Sequence, residues 1–225
     1  MGRLAVILGS SALGPGGGQI AAAAAEHGAA IVQRHSGDPY LLPHEIDHAA
    51  NLRALAEQGC DRVLAISSVG SLKPELPVGT VVCPDDFIAL GVGPTIYEDA
   101  RAHTAPGFHP GWRAEVLTAW EAGGVAAIDG GVYWQTRGPR FETPAEIRLI
   151  AAHADVVGMT VAAECILARE LGLHYAALCM VDNVANGLGA GELSVAELEA
   201  DRVANAGILR DGLEAVLPRL GAVGR

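Results

Sequence analysis

Glu142 is the residue whose setting first raises a question of chemistry. It lies in "GPRFETPAE", residues 138–146, directly after an aromatic, with a Gly-Pro turn before it and the start of a helical stretch behind it. A carboxylate there has two uses. It can cap the helix by accepting from first-turn N–H groups, or it can point into a pocket and grip a ligand that carries N–H groups. Four other short stretches, each ending an apolar run, could supply the rest of a site. "GSSALG", residues 9–14, has small residues that let backbone N–H groups approach an anion, and Ser10 or Ser11 adds a hydroxyl. "QRHSG" sets Arg34 beside His35, a cationic and an imidazole donor of the kind that suits phosphate. "SSVGS" runs over 67–71, and "GMT" ends on Met159 and Thr160. The first turn is not a P-loop, because no Lys follows it, and GxGxxG is not met. Each stretch alone is also what an ordinary turn looks like, and a solvated Arg-His pair is the bland reading of 34–35. Together, four strand ends offering N–H, hydroxyl and guanidinium donors would make one anion site without a metal.

The elements that must position these groups follow from periodicity. "LAVILG" is a short apolar run ending in glycine, a buried strand, and the alanine-rich "GGGQIAAAAAEHGAA" after it favours a helix. "AAIVQRH" reads as a second strand. "LPHEIDHAANLRALAEQGC" spaces Ile46, Ala49, Ala50, Leu52 and Leu55 helically and stops at Gly59. "DRVLAISSVGSL" and "GTVVCPDDFIAL" are strands. Residues 91–110 have no period and read as a long loop, of a length that is often functional or interfacial. A helix over 112–122, the strand "GGVYWQT", a helix from about 144 to 152 and the strand "ADVVGMT" follow. Then come the helical "AAECILARELG", with Ile166, Leu167 and Leu171 on one face, the strand "HYAALCMVDN", and a last helix over 195–216. The alternation predicts a single-domain α/β fold over 1–225, a mixed central β-sheet flanked by helices. Polar strand ends are where such folds place ligands.

Composition narrows the partners. The 225 residues are half hydrophobic, rich in Gly and Ala, and carry a formal net charge of −11. Such a surface disfavours nucleic-acid backbones and anionic membranes. Cys60, Cys83, Cys165 and Cys179 form no CxxC pair and have no His at ligand spacing, so they read as buried thiols. The N-terminal "MGRLAVILGSSALG" makes a poor signal peptide. No apolar run reaches the roughly 18 residues of a membrane helix. A cytoplasmic protein is expected.

"AISSVGSLKPELPVGTVVCPDDFI", "GVYWQTRGPRFETPAEIR", "ADVVGMTVAAECILARELGLHYAALCMVDN" and "QRHSGDPYLLPHEIDHAANLRAL" resemble, in order over most of 4–186, the trimeric purine nucleoside phosphorylase and methylthioadenosine phosphorylase family. "GPRFET" and "VGMT…E…LARELG" are its specific blocks. The resemblance implies phosphorolysis: inorganic phosphate attacks C1′ of a purine nucleoside and releases the base and a pentose 1-phosphate. Phosphate would be a co-substrate, with no cofactor and no metal, and the assembly a homotrimer or a multiple of it. By position, Ser11, Arg34, His35 and Thr160 match phosphate ligands, Ser67 and Ser68 a turn touching phosphate and ribose, and Met159 the residue against the ribose. Glu142 and Asn183 match the two base-reading positions and would carry the catalytic contacts to the leaving purine. Glu142 would accept N1–H of a 6-oxopurine, and N2–H as well where the base carries one, and the Asn183 amide would serve O6 and N7. Adenine-preferring members have Asp and a small hydroxyl residue there, so hypoxanthine or guanine is expected. The other use of Asn183 is to form a turn.

Three departures from the family bear on the site. Only twenty residues separate Leu13 from Arg34, where the family usually inserts a strand pair. Asp182 stands where the family usually has an uncharged residue. No histidine follows His174, so the family's partner for the ribose 5′-hydroxyl is missing. Leu188, Leu193, Val195 and Leu198 offer instead an apolar wall that would tolerate a methylthio group, which makes 5′-methylthioinosine a candidate beside inosine and guanosine. Residues 91–109, His103 among them, would reach a neighbouring subunit's site. A 5′-methylthioadenosine phosphorylase, a nucleoside hydrolase-like enzyme and a non-catalytic purine-binding relative are the alternatives.

Overall fold

The structure is a computed structural model that describes residues 2–10, 17–35, 40–189 and 195–221. Among these residues nine strands form one mixed sheet, ordered β5-β7-β8-β3-β9-β4-β6, with β1 pairing β3 on one side and β2 on the other. The strands are β1 Arg3–Leu8, β2 Ala30–Gln33, β3 Cys60–Ser71, β4 Val81–Cys83, β5 Asp86–Ile88, β6 Ile128–Asp129, β7 Val132–Gln135, β8 Val156–Gly158 and β9 His174–Val184. The helices are α1 Gly17–Glu26, α2 His48–Glu57, α3 Pro110–Glu121, α4 Pro144–Ile150, α5 Val161–Glu170 and α6 Val195–Gly221.

The long strands β3 and β9 are buried on both faces, which is why they read as continuous apolar runs rather than alternating ones. On one face Leu64, Ile66, Leu178 and Met180 pack with Trp112 and Trp120 of α3 and Leu209, Leu213 and Leu217 of α6. On the other, Val63, Ala65, Ala177 and Val181 pack with Leu52 and Leu55 of α2 and Val161, Cys165 and Leu167 of α5. All four cysteines are buried free thiols. Burial pushes the Cys83 thiol up to about 11 and that of Cys165 to about 12, which leaves both unreactive.

Sequence and structure differ at four places. "GTVVCPDDFIAL" is two short strands, because Pro84 cannot donate to a ladder and the chain leaves β9 for β7 there. Ile46 lies outside α2: Pro43–Glu45 forms a separate 3-10 turn, and α2 starts at His48 with Asp47 as its cap, accepting from Ala50 N at 2.8 Å. The two-residue β6 carries too short a pattern to read. The last helix runs on through Pro218 to Gly221.

One detail of topology creates the site. β1 pairs with β3 only as far as Leu8 opposite Ile66, and β8 pairs with β3 only from Gly70 opposite Val157. Residues 67–69 of β3 therefore have β9 on one side and neither β1 nor β8 on the other. The opening in the sheet lies there.

Candidate active site

A cavity of about 380 Å³ fills that opening, a size that suits a nucleoside-sized ligand. Arg34, His35, Ser67, Ser68, Glu142, Met159, Thr160 and Asn183 all line it. Ser11 lies outside the described residues, and its neighbour Ser10 lines the cavity. Residues far apart in sequence thus meet because β1, β2, β3, β8 and β9 all end or bend around one gap.

Arg34 extends the β1–β2 ladder by one step, donating N–H to the Leu8 carbonyl at 2.9 Å. The short link ahead of it therefore leaves it at the cavity. Its side chain is 1% exposed. Nε and Nη2 donate to the two Glu164 carboxylate oxygens at 2.6 and 2.9 Å, and Nη1 donates to the Ile66 carbonyl at 3.2 Å. That uses three of the five guanidinium N–H groups and leaves one on each terminal nitrogen. Glu164 also accepts from the Tyr175 hydroxyl at 2.7 Å, and His48 Nδ1 lies 3.3 Å from its Oε1. Burial pushes the Glu164 carboxyl up, but Arg34 and then His48 outweigh it and hold the group well below the carboxylate range. Gly9 makes room for the fork: a Cβ there would sit 2.5 Å from Arg34 Nη1 and 2.7 Å from the Ile66 carbonyl.

His35 stacks on Tyr40 with ring centroids 4.9 Å apart, and its Nδ1 lies 2.9 Å from the Leu41 carbonyl. A carbonyl only accepts, so Nδ1 carries the proton. Burial brings this imidazole down to about 4, against the Leu41 hydrogen bond and with help from the Arg34 charge. Thr160 and Val161 N–H groups donate to the Tyr133 hydroxyl at 3.3 and 3.4 Å, which fixes the start of α5 beside the cavity.

Glu142 is buried, and it is not the helix cap. Thr143 caps α4: its hydroxyl accepts from Glu146 N–H at 3.3 Å, and the Glu146 carboxylate accepts from Thr143 N–H at 2.8 Å. Glu142 instead turns to the cavity, with Oε1 accepting the Thr136 hydroxyl at 2.6 Å. Gly138 supports the turn before it. Its φ is +63°, and a Cβ there would lie 2.6 Å from the Met159 sulfur.

Asn183 reaches the cavity through a β-bulge. Val69 of β3 pairs with Val181, but the next residue, Gly70, pairs with Asn183. Asp182 is the extra residue. It is fully buried and accepts from the Asn205 amide of α6 at 2.9 Å. The acid where the family usually has an uncharged residue is thus an anchor for α6, and the bulge is what puts Asn183 at the cavity.

Sequence reading missed Asn186, whose amide donates to the Glu142 carbonyl at 2.9 Å and which lines the cavity. It also missed Tyr40, Phe141 and Arg202 of α6, all lining residues. The second asparagine of "DNVANG" was the only visible signal. Leu188, proposed for an apolar wall, is 42% exposed and is not a lining residue. Leu193 lies outside the described residues, as do the side chains of Val195 and Leu198. His103 is exposed and away from the cavity in this single chain.

A mixed sheet bent around a cavity, with an Arg-His pair, hydroxyls, a carboxylate and an amide on its lining, defines an α/β protein of nucleoside-phosphorylase type. The chain belongs to the phosphorylase superfamily, whose family model matches residues 11–217. It is 47% identical over 161 residues to a probable 6-oxopurine nucleoside phosphorylase of Archaeoglobus fulgidus, covering 71% of this chain and 66% of that one. It is 38% identical over 172 residues to a probable S-methyl-5′-thioinosine phosphorylase of Methanosarcina acetivorans, covering 75% and 66%. The matched region thus spans just under two thirds of each of these relatives. The fold superposes on methylthioadenosine phosphorylase from Schistosoma mansoni in complex with adenine, with a TM-score of 0.83, 21% identity, and 98% and 92% of the two chains covered.

Proposed function

We propose that the protein is a purine nucleoside phosphorylase that cleaves a 6-oxopurine nucleoside. The observation that carries this is Glu142, a buried carboxylate aimed into the same cavity as Arg34 and His35 and relieved of capping duty by Thr143. Phosphate binds to the free N–H groups of Arg34 and to the hydroxyls of Ser10, Ser67 and Thr160, with Ser11 as a further ligand, while the unprotonated Nε2 of His35 accepts from a phosphate P–OH. The ribose lies over Met159 and Ser68. The C1′–N9 bond breaks as a phosphate oxygen closes on C1′, and the electron pair leaves with the purine. Glu142 accepts from N1–H, and Asn183 holds O6 and N7, where charge gathers. No metal or organic cofactor takes part in this reading. The base is consistent with the names of the two relatives, both of which denote 6-oxopurine substrates.

Comparing inosine with 5′-methylthioinosine assigns the 5′ substituent, hydroxyl or methylthio. The working form is a cytoplasmic homotrimer or a multiple of it, by the family resemblance, and the four buried free thiols suit a reducing compartment. Among the described residues no helix is long and apolar enough to cross a membrane.

The test is phosphate-dependent release of hypoxanthine from inosine with ribose 1-phosphate as co-product. Inosine should exceed adenosine by a large factor, up to about 10⁴, because adenine lacks the N1–H that Glu142 needs. Glu142→Gln should remove most of that preference. Release without phosphate would make the protein a hydrolase, and base binding without turnover a purine-binding relative.

A further inference from the structure

We infer that Thr136 is a specificity-determining positioning residue, which leaves Glu142 one free carboxylate oxygen for the base and so favours hypoxanthine over guanine. This rests on the reading of Glu142 as the base-facing carboxylate, and it goes further by choosing between the two 6-oxopurines.

Three contacts support it. Thr136 follows β7, and its backbone N–H donates to the Gly158 carbonyl at 2.9 Å, so its position is tied to β8. From there its hydroxyl donates to Glu142 Oε1 at 2.6 Å. Asn186 holds the other end of the same residue through the Glu142 carbonyl, at 2.9 Å. Glu142 is thus gripped at backbone and carboxylate, and no described residue hydrogen-bonds its Oε2. Thr136 does not line the cavity itself and acts only through the acid.

The two bases ask different things of a carboxylate. Hypoxanthine presents N1–H alone, which Oε2 satisfies. Guanine presents N1–H and an N2–H side by side, a fork that matches both oxygens of a carboxylate at once. Here the second oxygen already takes a short bond from Thr136. A carboxylate oxygen can accept twice, as Glu164 Oε2 does from Arg34 and Tyr175, so the N2–H shares Oε1 with that hydroxyl, and an acceptor already holding a short bond returns less than the free oxygen that meets N1–H. The 2-amino group then brings desolvation without a full hydrogen bond in return.

The experiment measures binding of inosine, guanosine and adenosine by calorimetry without phosphate, and kcat/KM for the same nucleosides with it. Wild type, Thr136→Val, Thr136→Ser and Thr136→Ala are compared. Wild-type protein should favour inosine over guanosine by a few-fold, up to about tenfold, the order expected when one hydrogen bond is weakened by a shared acceptor. Thr136→Val keeps the shape and frees Oε1, so the ratio should fall towards one or invert. Thr136→Ser restores the hydroxyl and should restore the ratio, which a merely structural role would not require. Thr136→Ala serves should the valine variant not fold. Equal or better binding of guanosine by wild type, or an unchanged ratio in the variants lacking the hydroxyl, overturns the inference. If inosine is still preferred to adenosine, only the role of Thr136 fails. If none of the three binds, the base site itself was misread and the inference falls with it.

Discussion

Arg34 and Glu142 are both buried charged side chains on one cavity, yet they are held in opposite ways. Arg34 ends a strand ladder and meets a carboxylate fork, a backbone carbonyl and, through Glu164, a core tyrosine. Glu142 sits between β7 and α4, with exposed Arg140 and Phe141 before it, and one hydroxyl holds its carboxylate. The anion side is therefore part of the core's own charge balance, and a change there is a change in folding. The proposed base side hangs on a few polar contacts, and a change there is expected to be a change in selectivity. On the proposed reading, one cavity puts the attraction of a generic anion and the choice of one base on separate scaffolds.

The largest expected effect breaks the anion side. Arg34→Ala leaves Glu164 buried with its main counter-charge gone, which should destabilise the fold by about 3–5 kcal/mol. Urea unfolding monitored by fluorescence measures this, and phosphate saturation should be lost with it. Arg34→Lys keeps the charge but not the fork and should fall between. A stable Arg34→Ala protein would show that the network does not carry the fold, and the contrast with Glu142 would collapse.

A smaller effect concerns pH on the same side. His35 takes up a proton near 6.5 when unfolded but only near 4 when folded, because burial disfavours its charged form. Between those values the unfolded chain binds more protons, so stability falls as pH drops from 6.5 to 4. The groups facing this ring are Arg34 beside it, Tyr40 stacked on it, Glu164 on α5 and Arg202 on α6. Glu164 adds its own loss in a lower window, below about 4.5, as its depressed carboxyl is protonated. Unfolding midpoints at pH 7.5, 6 and 5 should therefore decline, and His35→Asn should decline less. Equal slopes in the two proteins would remove His35 from this account.

Most of the fold was legible because buried parallel strands announce themselves as apolar runs, and the strand ends were legible as glycine and hydroxyl clusters. The convergence of those ends rested on resemblance until the gap between β1 and β8 was seen. Two things could not be read. Glu164 was visible only as the acid of the block "VGMT…E…LARELG", since nothing in a sequence says that it will meet an arginine 130 positions away. Asp182 looked misplaced because a bulge shifts the side-chain period by one, and no local pattern marks a bulge whose cause is a partner on α6.

The smallest expected effect sharpens the base side. Thr143 is the immediate neighbour of Glu142 and caps the seven-residue α4, with Glu146 completing the box and pairing with Arg140 at 2.8 Å. Removing the cap hydroxyl in Thr143→Ala should cost about 1 kcal/mol of stability. If Glu142 is set by Thr136 and Asn186, as their contacts at 2.6 and 2.9 Å indicate, its carboxylate stays where it is. The ratio of kcat/KM for inosine over adenosine should then match wild type while the thermal midpoint drops. A cap variant that loses selectivity along with stability would place the control of Glu142 in the helix start. The base side would then be as closely tied to the fold as Arg34 is.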